Sequence, residues 1–436
     1  MRSSKIAFSQ QKRAFLFDFS AEPLTSDGGL LVAAKQLKRL DLTSFFGPFI
    51  PDRRDQRYVE YSSDQLLSLR LMLLCCGYED CNDVQHLRHD PALQALSGGD
   101  RLPGQSTLSR WENALTLGDV GRLAERMIDY YVATIDPTRE EIIIDVDCTD
   151  DPTHGKQQGS LFHGYHWQWM YNELFYLDGQ TGQVILPVLR PGNAHSSRWN
   201  DRFLRRIVHK IRSRFPDMAI HLRADAGFSC PAFYEVVEEL DIGFCVGISA
   251  NERLKRLIAD EVAEVKAEYV QQDRVHQRFV GPFAYQADSW EYTQQVYAKI
   301  ESTGKGLNVR FYVSNFEEED PEELYRAFYV QRGEAAENRI KEIKNFCYSD
   351  RLSCHRFSAN YFRLILSCLA YEVLRSLRER LPEVTRDPRL WVWSIQSIRL
   401  YLLKVAGQIK VTARRVYFRL ARGHPYQTII TGLLAG

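Results

Sequence analysis

Three acidic residues far apart in the chain, Asp147, Asp225 and Glu337, have the types and settings that phosphoester chemistry uses. The first lies in EIIIDVDCTDD at 141–151. Its isoleucines and valine suit a buried strand. Strand side chains alternate, so Ile142, Ile144 and Val146 face one way and Ile143, Asp145 and Asp147 the other. An unpaired charge at the end of such a strand is costly, and a cation would compensate it. Asp225 lies in HLRADAGF, at the C-terminal end of a later strand and before a glycine turn. In open α/β sheets, sites gather at such strand ends. Glu337 lies in YVQRGEAAENRIKEIKNF, where helical spacing puts Glu337, Lys341 and Lys344 on one stripe. Each acid alone has a plainer reading. A strand-end aspartate caps a helix or shapes a turn, and a surface Glu337–Lys341 pair contributes a few tenths of a kcal/mol. Together, three carboxylates suit magnesium, a hard ion that takes oxygen ligands and keeps places for water and phosphate. Two such ions about 4 Å apart hold the attacking and leaving oxygens of a phosphodiester displacement. Asp147, nearer the strand end, is taken as the first ligand. Asp145 shares its face and stands as a support or as the alternative ligand. Asp150 and Asp151 read as turn residues.

To meet, these acids need a sheet. The chain offers a strand at 141–147, an aromatic strand in HWQWMYNELFYLD, the turn DGQTG and a third strand in QVILPVL. A helix (SSRWNDRFLRRIVHKIRSRF), a strand (AIHLRAD), a helix (PAFYEVVEELD) and a strand (IGFCVGI) follow. The order β-β-β-α-β-α-β predicts an α/β fold around a mixed sheet, antiparallel first and then parallel. If the first and fourth strands are parallel neighbours, Asp147 and Asp225 share one edge. The predicted organisation has a helical N-terminal DNA-binding region at 1–138 and the first part of the core at 139–250. A strand-rich insertion follows at 251–320, then the last part of the core with the third acid at 321–370, and a basic helical region at 371–436. In the N-terminal region Ser62 caps a helix, and LPGQSTLSRWENAL places Ser106 as the cap of a helix from Thr107. These short helices resemble a helix-turn-helix, with Thr107, Ser109 and Arg110 outward.

The 56 basic and 56 acidic residues of the 436 cancel, so net charge does not point to a polyanionic partner. Their distribution does. No acid occurs from Pro388 to Gly436, a stretch that includes Arg414, Arg415, Arg419 and Arg422. A second basic cluster runs from Arg198 to Arg214, while acid gathers in EEEDPEE at 317–323. Segregated basic stretches suit a local anionic partner, and solvated helix faces are the plain alternative. The nine cysteines are odd in number and form no CxxC, which predicts reduced thiols and a cytoplasmic protein. Cys76, Cys81, His86 and His89 fit no common zinc spacing. No uncharged apolar run reaches the roughly 20 residues of a membrane span.

The strand order, with acids ending strands one and four and a third on a later helix, looks like the ribonuclease-H-like fold. More narrowly, the chain resembles the DDE transposases of bacterial insertion sequences. One branch has a tyrosine–arginine–glutamate–lysine signature, matched here by Tyr329, Arg332, Glu337 and Lys344. The arginine-to-glutamate gap is four residues, where the signature has three. Asp147-Cys148-Thr149 matches D-x-T, and TSDGGLLVAAKQL and FSANYFRLILSCLAYEVL add to the likeness. The resemblance implies cut-and-paste transposition on double-stranded DNA by a homodimer. Asp147, Asp225 and Glu337 would hold two Mg2+ ions, with Mn2+ able to substitute, and a hairpin intermediate would form. It also implies that Tyr329, Arg332 and Lys344 grip phosphates near the cut, while the acid-free basic stretch makes Arg414 and Arg415 further candidate DNA contacts. Trp290, in the insertion, is a candidate for stacking an extruded base, or a half-buried strand aromatic. A stand-alone metal-dependent nuclease and a non-catalytic DNA-binding derivative remain open on this reading. A glycosidase also uses two carboxylates, but it needs neither a third acid nor an acid-free basic terminus.

Overall fold

Fourteen strands are seen in a computed structural model that describes residues 6–10, 13–17, 23–272, 275–316 and 320–436. Residues 317–319 of the acidic run lie outside the described residues. The strands are β1 (Ile6–Gln10), β2 (Arg13–Phe17), β3 (Leu24–Thr25), β4 (Glu141–Pro152), β5 (Leu161–His163), β6 (Gln168–Asp178) and β7 (Val184–Pro191). They continue as β8 (Ala219–Ala224), β9 (Gly243–Ile248), β10 (His276–Tyr285), β11 (Gln294–Thr303), β12 (Gly306–Ser314), β13 (Gly407–Val411) and β14 (Val416–Leu420).

The central sheet follows from its sequence. β4 is antiparallel to β6, which is antiparallel to β7, while β8 and then β9 join β4's other edge in parallel. The order β7-β6-β4-β8-β9 is the mixed sheet expected from three strands and two crossovers. Ile142, Ile144 and Val146 of β4 are fully buried. The crossover helices, Asn200–Arg214 and Pro231–Glu239, bury an apolar stripe that includes Leu204, Ile207, Val208 and Ile211 on the first and Phe233, Val236 and Val237 on the second.

Several elements depart from the sequence expectation. β4 runs to Pro152 rather than to 147, so Asp150 and Asp151 are strand residues opposite Asn172 and Tyr171, not turn residues. Polar residues 148–152 stay extended because β6 supplies a partner for each. The strand-rich insertion joins the central sheet, a placement the sequence leaves open. β12 pairs antiparallel with β9, and β11 and β10 extend the same sheet outward. The N-terminal region holds the β1–β2 hairpin as well as helices. The basic C-terminal region holds the β13–β14 hairpin, whose β13 also pairs with β3. The helix predicted from Thr107 starts at Gln105, with Gly104 as its N-cap instead of Ser106.

Helix Phe357–Glu379 ties the layers together and crosses the predicted 370/371 boundary. It is buried over most of its length, and its charges are paired. Arg363 meets Asp80, in the loop after helix Ser63–Cys75, and Glu112 of helix Gln105–Glu112. Glu372 accepts the Val184 N–H of β7 at 2.7 Å and pairs with Arg375. Helix Ser63–Cys75, closed by a Ser62–Gln65 capping box, packs against it. One hydrophobic core therefore runs from Leu30 through the sheet to Leu433. No helix among the described residues is long and apolar enough to cross a membrane.

Candidate active site

Parallel pairing sets the first two acids. Val146 and Ala224 are register partners on β4 and β8, so Asp147 and Asp225 follow them from adjacent strands. Asp225 opens a tight 3-10 turn by accepting the Gly227 N–H at 2.8 Å. Gly227 leaves room for this: a Cβ there would lie 2.9 Å from Ser196 Oγ and 3.1 Å from Asp225 Oδ1. Glu337 comes from the helical layer. It ends a π-helical turn, Gly333–Glu337, and precedes helix Asn338–Cys347. The three acids line one cleft of about 370 Å³, together with Arg332, Thr149 and Lys344.

Arg332 reaches Asp147 Oδ2 at 2.9 Å, and the Cys148 N–H donates to Oδ1 at 2.8 Å. Burial nevertheless pushes the Asp147 carboxyl up to about 6, and the negative charges of Asp225 and Glu337 push the same way against the pull of Arg332. The two other acids are therefore close enough to act on Asp147 through space. Burial works against the charge of Arg332, but Asp147, Tyr329, Asp225 and Asp145 hold its pKa above the ordinary value. Lys344 Nζ donates to Thr149 Oγ1 at 3.0 Å and to the Asp150 carbonyl at 2.6 Å. Lys341, four residues on from Glu337, lies 3.6 Å from it.

The donors facing the cleft are carboxylate oxygens, the set a hard divalent cation takes. Burial first, and the charges of Asp225 and Glu337 after it, lift Asp147, and a bound cation would offset both. The cage is not closed, however: among the described residues no three Asp, Glu, His or Cys side chains are grouped tightly enough to hold a metal ion. Glu337 is exposed and turned toward Lys341, and Arg332 occupies an oxygen of Asp147.

Other sequence expectations fare differently. Asp145 is fully buried and held by Arg223 through two hydrogen bonds of 2.6 and 2.8 Å, and it does not line the cleft. Tyr329 lies beside the cleft rather than in its lining. It stacks on Tyr312 at 5.8 Å, and burial raises its hydroxyl to about 12. Trp290 lies in the connection between β10 and β11 rather than on a strand; it is half-buried and packs on Tyr234 and Tyr285 at 4.7 and 5.4 Å. The basic cluster at 198–214 is largely consumed within the fold: Arg205 pairs with Asp201 and Glu239, Arg206 with Glu125, and Lys210 with Glu125 and Asp129. Arg414 and Arg415 are exposed in the turn joining β13 and β14. Arg110 is exposed on its helix, with Thr107 and Ser109 half-buried. All nine cysteines are free.

Sequence reasoning missed two features. Asn345, eight residues after Glu337 on the helix face carrying Lys341, also lines the cleft; extending the helical stripe by one turn would have found it. Asp151 and Glu173 form a buried acidic pair behind Lys344, with Glu173 pushed to about 7 chiefly by burial. That pair follows from the unexpected length of β4.

No curated protein matches the chain. Among solved structures it is similar to the piggyBac transposase synaptic complex with hairpin DNA, determined by cryo-EM, at 12% identity, covering 88% of this chain and 83% of that one, with a TM-score of 0.44. Residues 9–436 match the family model described as Transposase DDE domain group 1, and the chain belongs to that family of DDE-type transposases.

Proposed function

We propose that this transposase cuts and rejoins double-stranded DNA at the ends of a bacterial insertion sequence, by a cut-and-paste route that depends on divalent metal. The observation that carries the reading is the convergence of Asp147, Asp225 and Glu337 on a single cleft that also holds Arg332 and Lys344. The three acids would hold magnesium, which when bound makes an attacking water or hydroxyl more acidic and neutralises the leaving oxygen. Manganese would take the same oxygen donors. Arg332, a planar fork bound to one carboxylate oxygen, is suited to exchange that partner for a DNA phosphate. Lys344 anchors the start of the polar half of β4 and presents a second positive charge to the same phosphate. Tyr329 supports Arg332 from the side of the insertion strands. The basic β13–β14 hairpin, with Arg414 and Arg415 at its turn, would bind DNA away from the cut. A homodimer acting on paired DNA ends, a hairpin intermediate and a cytoplasmic location are the parts of this reading that the sequence resemblance and the free thiols support.

The test uses the full chain with Mg2+ and short duplexes carrying the element's ends. Cleavage followed by joining to a second duplex is expected. Asp147→Ala, Asp225→Ala and Glu337→Ala should each abolish cleavage and leave binding in place. Cutting without joining would assign a nuclease, and retention without cutting a binding protein. Cleavage by any of the three alanine variants would remove that residue from the site.

A further inference from the structure

The β5–β6 hairpin exposes Phe162, Tyr165, Trp167 and Trp169, with Tyr165 85% and Trp167 81% open to solvent. These rings are grouped. Phe162 and Trp169 are cross-strand partners 6.2 Å apart, and Trp167 stands 5.8 Å from Phe162. Tyr165 and His163 flank His166 at 5.1 and 4.8 Å. Trp167 is held at φ 52°, a left-handed backbone that a bulky side chain rarely adopts. A cluster of large rings left in water marks a binding surface.

Position and charge identify the partner. Asp147 pairs with Phe175, Thr149 with Glu173 and Asp151 with Tyr171. By strand alternation, Trp169 and its partner Phe162 lie on the sheet face that carries Asp147 and Thr149. At about 3.3 Å per residue, Trp169 stands about 20 Å along the strand from the level of Asp147. The Gln168 amide donates to Asp150 at 2.7 Å, which ties the start of β6 to the polar half of β4. From Pro152 to Asn172 there is no acidic residue, while Lys156, His154, His163 and His166 are present. A polyanion therefore meets no repulsion from this segment. Nucleobases are the ligand that suits an aromatic platform of this charge, since every base presents a π-face. In a duplex those faces are covered by neighbouring bases, so the platform selects unpaired ones.

We propose that the 161–169 hairpin is a stacking platform for unpaired bases of a DNA strand leaving the acid cleft; this rests on the DNA-cutting reading above. A span of about 20 Å corresponds to about six steps of 3.4 Å along one strand. The bases it holds thus lie several nucleotides beyond the reacting phosphate.

The test uses the full chain in chelator, so that nothing is cut, with two probes: a blunt duplex, and the same duplex ending in an unpaired thymine tail that contains 2-aminopurine. Wild-type protein should bind the tailed probe about tenfold more tightly than the blunt one and quench the 2-aminopurine. Trp167→Ala and Tyr165→Ala should each lower the ratio of tailed to blunt affinity several-fold, and Trp167→Phe should restore most of it. Equal wild-type affinity for the two probes, no quenching, or equal losses on both probes in the variants would overturn the platform. So would a change of oligomeric state in Trp167→Ala measured by light scattering, which would make the surface a contact between copies. Failure of the wild type to bind either probe would sink the DNA-cutting reading, and the platform with it.

Discussion

Replacing Asp147 with asparagine keeps the shape of the side chain and removes its charge, which isolates what that charge costs the fold. Burial and the charges of Asp225 and Glu337 raise the Asp147 carboxyl from 3.8 to about 6, after the opposing pull of Arg332 has been counted. A carboxyl raised on folding is held better when protonated, so ionising it destabilises the native state. The penalty is absent below 3.8, grows between 3.8 and about 6, and is complete above that. A shift of about two units at about 1.36 kcal/mol each corresponds to about 3 kcal/mol. The side chain is only 14% exposed, so solvent screening removes little of this. Asparagine mimics the protonated acid. Asp147→Asn should therefore be more stable than wild type by about 3 kcal/mol at about pH 8 in chelator. For a chain of 436 residues, with an unfolding entropy of about 2.1 cal/mol/K per residue, that raises Tm by roughly 3 °C. Calorimetry across the acid-to-neutral range should show the gap closing as pH falls through about 6, where wild type regains its proton. Adding Mg2+ at about pH 8 should stabilise wild type and not the variant. An unchanged or lower Tm for Asp147→Asn at about pH 8 would refute the claim that burial and its acidic neighbours make the ionised Asp147 a burden on the fold.

Asp145, two residues earlier on the same face of that strand, is held by an ion pair, and its loss should cost stability. Asp145→Ala leaves the Arg223 charge buried and unpaired, so urea unfolding should register a loss of about 3–5 kcal/mol. A return of Asp145→Ala to wild-type stability would show that Arg223 finds other partners. Reversing the hairpin arginines in Arg414→Glu/Arg415→Glu should weaken duplex binding and lower the slope of log affinity against log salt by about two, with an unchanged melting curve; an unaltered slope would remove both from the DNA contact. Trp290→Ala removes a ring packed between Tyr234 and Tyr285 and should cost about 2 kcal/mol of stability. Its relative affinity for blunt and tailed DNA should match that of wild type, and a selective loss on tailed DNA would return Trp290 to a stacking role.

The central sheet was legible because its strands announce themselves by alternation and by the turns between them. That order allows β4 and β8 to be parallel neighbours; the structure pairs them so, and Asp147 and Asp225 come together. Partnership across long separations was not legible. Composition marks Arg205, Arg206 and Lys210 as a basic cluster, but Glu125 and Asp129, which neutralise two of them, lie about 80 residues earlier in the chain. Nor does the polar run 148–152 announce a strand; it becomes one because β6 pairs with it. The same limit hides the difference between Asp145 and Asp147. They share a sheet face, and only the position of Arg223 on β8, opposite Asp145, separates an internal ion pair from a cleft acid.

The spacing between Arg332 and Glu337 shows the reverse case, in which the sequence flags an irregularity whose meaning is geometric. Four residues intervene where the resembling signature has three, and on a regular α-helix one extra residue rotates everything after it by about 100°. That rotation would turn either Arg332 or Glu337 away from the other. The chain instead runs Gly333–Glu337 as a π turn, the form in which a helix takes up an added residue as a local bulge, often at functional sites. Arg332 reaches Asp147, Glu337 lines the same cleft, and the regular helix from Asn338 keeps Lys341 and Lys344 on the face of Glu337. Counting residues registers a mismatch, whereas a folded helix counts angle, and the π turn converts one into the other. The same bulge places Glu337 at a junction of two helical geometries, where a small change of turn would alter its distance from Asp147 and Asp225 without disturbing the buried helix beyond it.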